Sequence, residues 1–263
     1  DEIKEKATKL EALTVKLEVQ KKKQQIILAE QEQERKVLEE DRKKQNTLMA
    51  EVKKDQKKYS GQIKNKQAET KKIDKEIKSV IQKAIAEANR KAKEKAEKER
   101  LAREKATGKK ETPINTSKVS SSKFELTPAE KTLANSFKAN QGRLPWPVEK
   151  GFISLKYGNQ PLPGMPNVEV HNSGVEITTE SGSSVRAVFE GEVFKIQSIG
   201  NIKLEYIKHG DYVSIYQNLS SISVSNGQKV STKQKIGTIS NNQDGKAVLK
   251  FVISQNDSFM NPQ

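Results

Sequence analysis

Residues 1–58 contain neither glycine nor proline, and half of them are charged. A segment with no chain breaker and so little to bury cannot close a core of its own; it can only be helical and lean on a partner. Its apolar residues fall at Leu10, Leu13, Leu17, Ile27, Leu38, Leu48, Val52 and Tyr59. That alternation of threes and fours is the seam of a coiled coil, interrupted by Gln20, Gln24, Gln31, Glu34 and Asp41. Polar seam positions weaken packing but fix register. Tyr59-Ser60-Gly61 is a weak break, read as a kink or the tip of a hairpin, because Gly61 costs about 1 kcal/mol inside a helix. The pattern begins without a cap, and an earlier arm segment is expected ahead of it.

Beyond Gly61 helix resumes through Ile63, and the stretch Ile73–Ile85 is the most hydrophobic part of the arm. Ile73, Ile77, Val80, Ile81 and Ile85 make a stripe wide enough to lie against a globular surface. The Ala/Lys/Glu/Arg-rich run from Ala86 to Ala106 favours helix and has little to bury. Residues 107–123, with Gly108, Thr116, Ser117, Ser120 and Ser121, read as a linker. A short helix then starts at Thr127-Pro128-Ala129-Glu130, with Thr127 as N-cap and Glu130 closing a capping box, and passes Leu133 and Phe137. Trp146, the single tryptophan, stands between two prolines and reads as a core anchor at a domain entrance.

From Val168 the period changes from helical to two. Candidate strands are Gly174–Thr178, Ser184–Val188, Gly191–Ser198, Ile202–Lys208, Val213–Gln217, Lys235–Ile239 and Ala247–Ile253. They are separated by turn pairs such as Ser181-Gly182, Glu190-Gly191, Asn226-Gly227 and Asp244-Gly245. Short strands at this spacing predict an antiparallel sandwich or barrel-like sheet. The fold class is therefore α+β by segments. A helical coiled-coil arm covers 1–106, a linker with a short helix 107–142, and an antiparallel all-β domain 143–263.

The formal net charge is +15. Residues 1–123 hold 35 Lys and Arg against 22 Asp and Glu, whereas the rest of the chain holds 14 against 12. The basic excess thus belongs to the arm, but its signs are interleaved and arginine is sparse, which describes a solvated coiled-coil face and not a nucleic-acid arm. The chain has no cysteine, so disulfides and thiolate metal sites are excluded. No apolar run is long enough to span a bilayer. The chain starts at Asp1 and not Met, as a processed chain would, and the lack of a signal segment carries no weight.

Residues 145–262 resemble the LytM-type (lysostaphin-like) zinc endopeptidase domain. The resemblance rests on an ordered set: Gly174-Val175 before an acid, then Gly182, Val185, Ala187, Gly191 and Val193. Gly200-Asn201, His209-Gly210, Tyr216-Gln217-Asn218-Leu219, Val224, Gly227, Val230, Ile236 and Gly237 follow, and Leu249-Lys250-Phe251 and Asn261-Pro262 close it. That family uses HxGxD and the second His of HxH as zinc ligands, with two further histidines assisting the bound water. Carried over residue by residue, the ligand positions fall on Asn172, Glu176 and Lys250, and the assisting histidines on Asn218 and Val248. His171 is one residue early, which in a strand turns it to the other face, and His209 sits in the family's ordinary turn. Three protein ligands are needed for a catalytic zinc, so the resemblance implies a degenerate peptidase domain with no cofactor.

A degenerate LytM domain behind a coiled coil is similar to the murein hydrolase activator EnvC family. That resemblance implies a periplasmic, non-enzymatic protein, peripheral to the membrane through its partner alone and with no role for nucleic acid. Its arm would dock to an FtsEX-type division complex, and its former catalytic groove would bind and activate N-acetylmuramoyl-L-alanine amidases, autoinhibited by a helix of the same chain. The expected groove floor is Asn172, Glu176, Tyr216, Asn218, Val248 and Lys250. The covering helix is expected at about 73–85, preferred over Thr127–Phe137 for its broader apolar stripe. A LytM metallopeptidase with rewired zinc ligands, and a structural coiled-coil or basic nucleic-acid-binding scaffold, are the alternatives.

Overall fold

The computed structural model describes residues 2–107, 122–162, 165–241 and 245–263. The linker residues Gly108, Thr116, Ser117, Ser120 and Ser121, and Asp244 of the last turn pair, lie outside the described residues. The chain divides into two units, Asp1–Lys66 and Gln67–Gln263.

Helical backbone runs from Glu2 to Thr107 as α1. Gly61 lies within it and is helical, so the break expected at Tyr59-Ser60-Gly61 is absent. One glycine's entropic cost of about 1 kcal/mol is outweighed by flanks of Lys, Gln, Ala and Glu, all strong helix formers. Pairs one turn apart add to this, such as Lys9 with Glu5 and Arg100 between Glu97 and Glu104. Pairs one helical turn apart are worth only a few tenths of a kcal/mol each. In the first unit Leu10, Leu13, Leu17, Leu38, Leu48 and Val52 are all exposed.

The second unit holds the remaining elements. Helix α2 (Pro128–Ala139) is capped by Thr127, whose side chain accepts from the Glu130 amide while Glu130 reaches back to the Thr127 N–H. Twelve strands follow among the described residues. They are β1 (Phe152–Leu155), β2 (Gly158–Leu162), β3 (Met165–Asn172), β4 (Val175–Thr179), β5 (Ser184–Arg186) and β6 (Gly191–Ile199). The others are β7 (Ile202–His209), β8 (Tyr212–Ile222), β9 (Lys229–Val230), β10 (Lys235–Ile239), β11 (Ala247–Gln255) and β12 (Ser258–Met260).

Every pairing is antiparallel. The main sheet runs β1-β4-β11-β8-β7-β6-β9, with β10 joining β8 to β5 and β12 on β11; β2 and β3 form a separate hairpin. This is a long N-terminal helix followed by an antiparallel β domain. The elements β1, β2, β3, β9 and β12 have no clear signal in the sequence. They are short or lie at sheet edges, where alternation is not enforced by burial on one face.

Opposed residues of antiparallel strands share a face, and the two faces of the β4-β11-β8-β7 centre carry different loads. One face presents Val175, Phe251, Tyr216, Ile207 and Ile253 to a core completed by Val185, Ile236, Ile239 and Phe137 of α2. The other presents Leu204, Tyr206, Val213, Ile215 and Val252, and it is covered by Ile73, Ile77, Ile81 and Ile85 of α1 with Phe124. The four isoleucines are spaced by four, so they lie one above another on a single helix face. Ile77, Ile81 and Ile85 are completely inaccessible.

Trp146 is not a core anchor: it is 44% exposed, while its neighbours Pro147 and Val148 are buried. Arg186 accounts for this, donating to the carbonyls of Trp146 and Val148. The strap is held by its backbone, and the indole is left outside. Helix α2 packs on the first core through Ala134 and Phe137, and its Glu130 pairs at 2.8 Å with Lys208, whose ammonium lies over the Phe124 ring of the second. Its Phe137 stacks on His209 and Tyr212 at the edge of the first core.

Candidate functional site

The residue rows across β4, β11, β8 and β7 define the α1-covered face. Glu176 is opposite Lys250, Lys250 is opposite Gln217, and Gln217 is opposite Leu204. The next row is Val252, Ile215 and Tyr206. A charged and amide-bearing row therefore abuts an aliphatic and aromatic one, and α1 lies over both.

Lys250 is the centre of the polar row. It is buried, at 7% exposure, and its Nζ lies 3.9 Å from Asp74 Oδ1 of α1. The Ser173 hydroxyl donates to the same Asp74 oxygen at 2.8 Å. Burial pushes the Lys250 pKa below the usual lysine range, and the carboxylates of Asp74 and Glu176 push it back up. A buried ammonium of this kind is tolerable only beside opposite charge.

Asn172 is buried at the end of β3 and donates from Nδ2 to the Leu155 carbonyl at 3.4 Å. Its Oδ1, and Nε2 of the buried Gln217, have no hydrogen-bond partner among the described residues. Asn218 sits at a positive φ of 69°, where the β7–β8 register shifts, and its Nδ2 donates to the Val248 carbonyl at 3.0 Å. That bond ties the half-buried Val248 to the same end of the site. Val80 is half-buried on α1 and lines a neighbouring cleft of about 1200 Å³ with Ala84, Phe124, Phe194 and Val230.

Tyr216 is a correction. It points to the opposite face, into the first core, where its hydroxyl accepts from the Val188 N–H at 2.9 Å. The cause is the two-residue period of the strand: if Tyr216 packs against Phe251 inside, Gln217 must face α1. Gln217, Ser173 and Asp74 are the site residues that the sequence reading missed. The strand period adjoining Tyr216 could have found Gln217. Asp74 had no signal beyond lying next to Ile73, because nothing in the sequence says which sheet residue a helix turn will meet.

The two histidines serve other ends. His171 is exposed, and its Nδ1 lies 2.7 Å from Asn159 Oδ1 on the β2–β3 hairpin. His209 is fully buried on the face away from Lys250. Its Nδ1 is 2.6 Å from the Glu190 carbonyl, which can only accept, so Nδ1 carries the proton and Nε2 accepts from the Ser214 hydroxyl at 2.8 Å. Burial pushes its pKa down to about 4. It is a neutral core histidine at neutral pH.

Zinc does not fit these residues. The position that the resemblance assigns to the third ligand carries an ammonium engaged with Asp74, and both imidazoles lie elsewhere. Among the described residues no three His, Asp or Glu side chains converge as a metal site. No described helix is long and apolar enough to cross a membrane.

Residues 170–262 match the sequence model of peptidase family M23, so the β part of the chain contains an M23, LytM-like domain. The match covers less than half of the chain. Among solved structures the chain is similar to the complex of SpoIIIAH and SpoIIQ, at 24% identity over 46% of this chain and 97% of that one, with a TM-score of 0.40. It is similar to the catalytic domain of the prophage-encoded M23 protein EnpA from Enterococcus faecalis, at 23% identity over 46% of this chain and 95% of that one, with a TM-score of 0.39. Csd3 from Helicobacter pylori is similar at 22% identity over 45% of this chain, with a TM-score of 0.39, but only 33% of that chain is covered. No curated protein matches the chain.

Proposed function

We propose that this chain is a non-enzymatic activator of peptidoglycan amidases, in which the face once used for catalysis binds the amidase and α1 covers it at rest. An M23-like domain is compatible with a role at peptidoglycan. The observation that carries the finer reading is the Asp74–Lys250 contact beneath the isoleucine stripe. Where a zinc enzyme of this fold needs an open, ligand-lined site, this domain has a lysine and a helix over it. A sheet face with an aliphatic row beside a polar row suits an amphipathic helix, and one such helix already lies there. A periplasmic location, docking of the coiled-coil arm to an FtsEX-type membrane complex, and release of α1 by that complex complete the proposal. They follow from the similarity to the EnvC family.

The test combines three measurements on the purified chain. Metal analysis is expected to give far less than one zinc per chain. Dye-labelled peptidoglycan is expected to stay intact with the chain alone, and to be released faster when a peptidoglycan amidase and the chain with α1 displaced are both present. Lys250→Met is expected to abolish that stimulation while the melting temperature holds. Methionine is the suitable replacement because a glutamate there would face Asp74 and Glu176 together. Stoichiometric zinc with cleavage by the chain alone would establish the rewired metallopeptidase instead.

A further inference from the structure

The α1-covered face has a feature that a simple apolar docking surface lacks. Its one buried lysine among the described residues, Lys250, faces one carboxylate of the helix, Asp74, which Ser173 also holds. Two further buried polar atoms of the same site, Asn172 Oδ1 and Gln217 Nε2, have no partner among the described residues. Gln217 stands directly beside Lys250 across the β8–β11 pair. If α1 leaves, Asp74 leaves with it. The ammonium, the Ser173 hydroxyl and the two amides would then face the incoming surface together. An occupant that presents only aliphatic groups would bury Lys250 without its second carboxylate, which opposes binding.

From this we infer that the partner binds as an α-helix carrying an acidic side chain at the place of Asp74, with aliphatic residues three, seven and eleven positions further on. Those offsets are the ones α1 itself uses, from Asp74 to Ile77, Ile81 and Ile85. The acid is the specificity element, and the aliphatic residues supply the contact area. α1 is in this sense a copy, held within the chain, of the helix it keeps out. The inference rests on the reading of the covered face as a partner-binding site and adds the chemistry of the partner.

The full chain carrying Ile77→Asp and Ile81→Asp provides a receptor whose own helix cannot dock, and far-ultraviolet dichroism with a melt checks that its sheet is intact. The probes are fluorescein-labelled peptides of residues 70–89 with Asp74 kept, with Asp74→Asn and with Asp74→Lys, titrated by anisotropy. Removing one member of a buried charge pair is expected to weaken the Asn peptide by at least about tenfold. The Lys peptide is expected not to bind, and the native preference to shrink to about threefold or less when the receptor also carries Lys250→Met.

A second measurement needs no opened receptor. In the otherwise intact chain Asp74→Lys is expected to raise hydrogen exchange across residues 67–89, and Asp74→Lys with Lys250→Glu to restore protection. Equal binding of the native and Asn peptides, or no rescue by the charge swap, would overturn the acidic-helix inference while leaving amidase activation standing. Binding of no peptide to a folded receptor would overturn the covered-site reading along with it. A tenfold acid preference in a chain that stimulates no amidase would uphold the inference and remove the amidase as the partner.

Discussion

Replacing Ile77 and Ile81 together by alanine separates a removable cover from a permanent layer of the core. Both side chains are completely inaccessible and pack with Leu204, Tyr206, Ile215 and Val252. A buried Ile→Ala change costs about 2–5 kcal/mol. The two sites are one turn apart in the same cluster, so their costs couple, and roughly 4–6 kcal/mol is a fair figure for the pair. Burial of the four isoleucines supplies roughly 6–12 kcal/mol before the cost of ordering the helix is subtracted. The double change therefore removes about half of what holds α1 to the sheet.

Native-state hydrogen exchange with mass-spectrometric readout is the assay. Each 1.4 kcal/mol corresponds to about tenfold in protection, so amides of residues 67–89 are expected to lose roughly three to four orders of magnitude. Amides of β8 and β11 are expected to lose much less, because the first core, with Phe251, Tyr216 and Ile236, is untouched. Equal losses in α1 and in β8 and β11 would refute the reasoning, since α1 and the sheet would then open as one cooperative unit and no cover could lift.

Two further outcomes follow from other residues. Glu205 is fully buried in the first core row beside Tyr216, neither carboxyl oxygen has a partner among the described residues, and burial pushes its pKa up to about 8 from 4.5. The fold keeps the proton that the unfolded chain releases, so the stability from this group is present below pH 4.5 and is lost as pH rises to about 8. A Glu205→Gln chain should lack that decline, and melting curves between about pH 5 and 8.5 that fall in parallel for both proteins would contradict the assignment. Gly174→Ala should lower the melting temperature, because the added methyl would strike the Phe251 carbonyl and the Val252 side chain of β11. Overpacking of this kind costs about 1–3 kcal/mol. An unchanged melt by circular dichroism would show that β4 and β11 are less closely joined than their register indicates.

Much of the site could be read in advance, and the reason is periodicity. The stripe Ile73, Ile77, Ile81 and Ile85 is one helix face by its spacing alone. The central strands β4, β7, β8, β10 and β11 carry apolar runs because one or both faces are buried, and such runs stand out. The strands β1, β2, β3, β9 and β12 are short or at edges and left no such trace. Gly61 and Trp146 misled for a common reason: a residue's general tendency decides little when its neighbours settle the matter. Helix-forming flanks carried the backbone through Gly61, and two guanidinium contacts from Arg186 fixed the strap with the indole outside.

The sequence by itself determined that a polar helical arm precedes an antiparallel β domain. The resemblance to a peptidase domain adds that the family's ligand positions fall on Asn172, Glu176 and Lys250. The arm and the strands are properties of residue type and local period, and no folding is needed to state them. Only the tertiary structure decided that Tyr216 belongs to the core and Gln217 to the covered face, and that Asp74 is the carboxylate above Lys250. Such facts depend on which residue of one element meets which residue of another. That register is set by the packing of whole faces, here four isoleucines on a sheet, and not by any pattern within either segment.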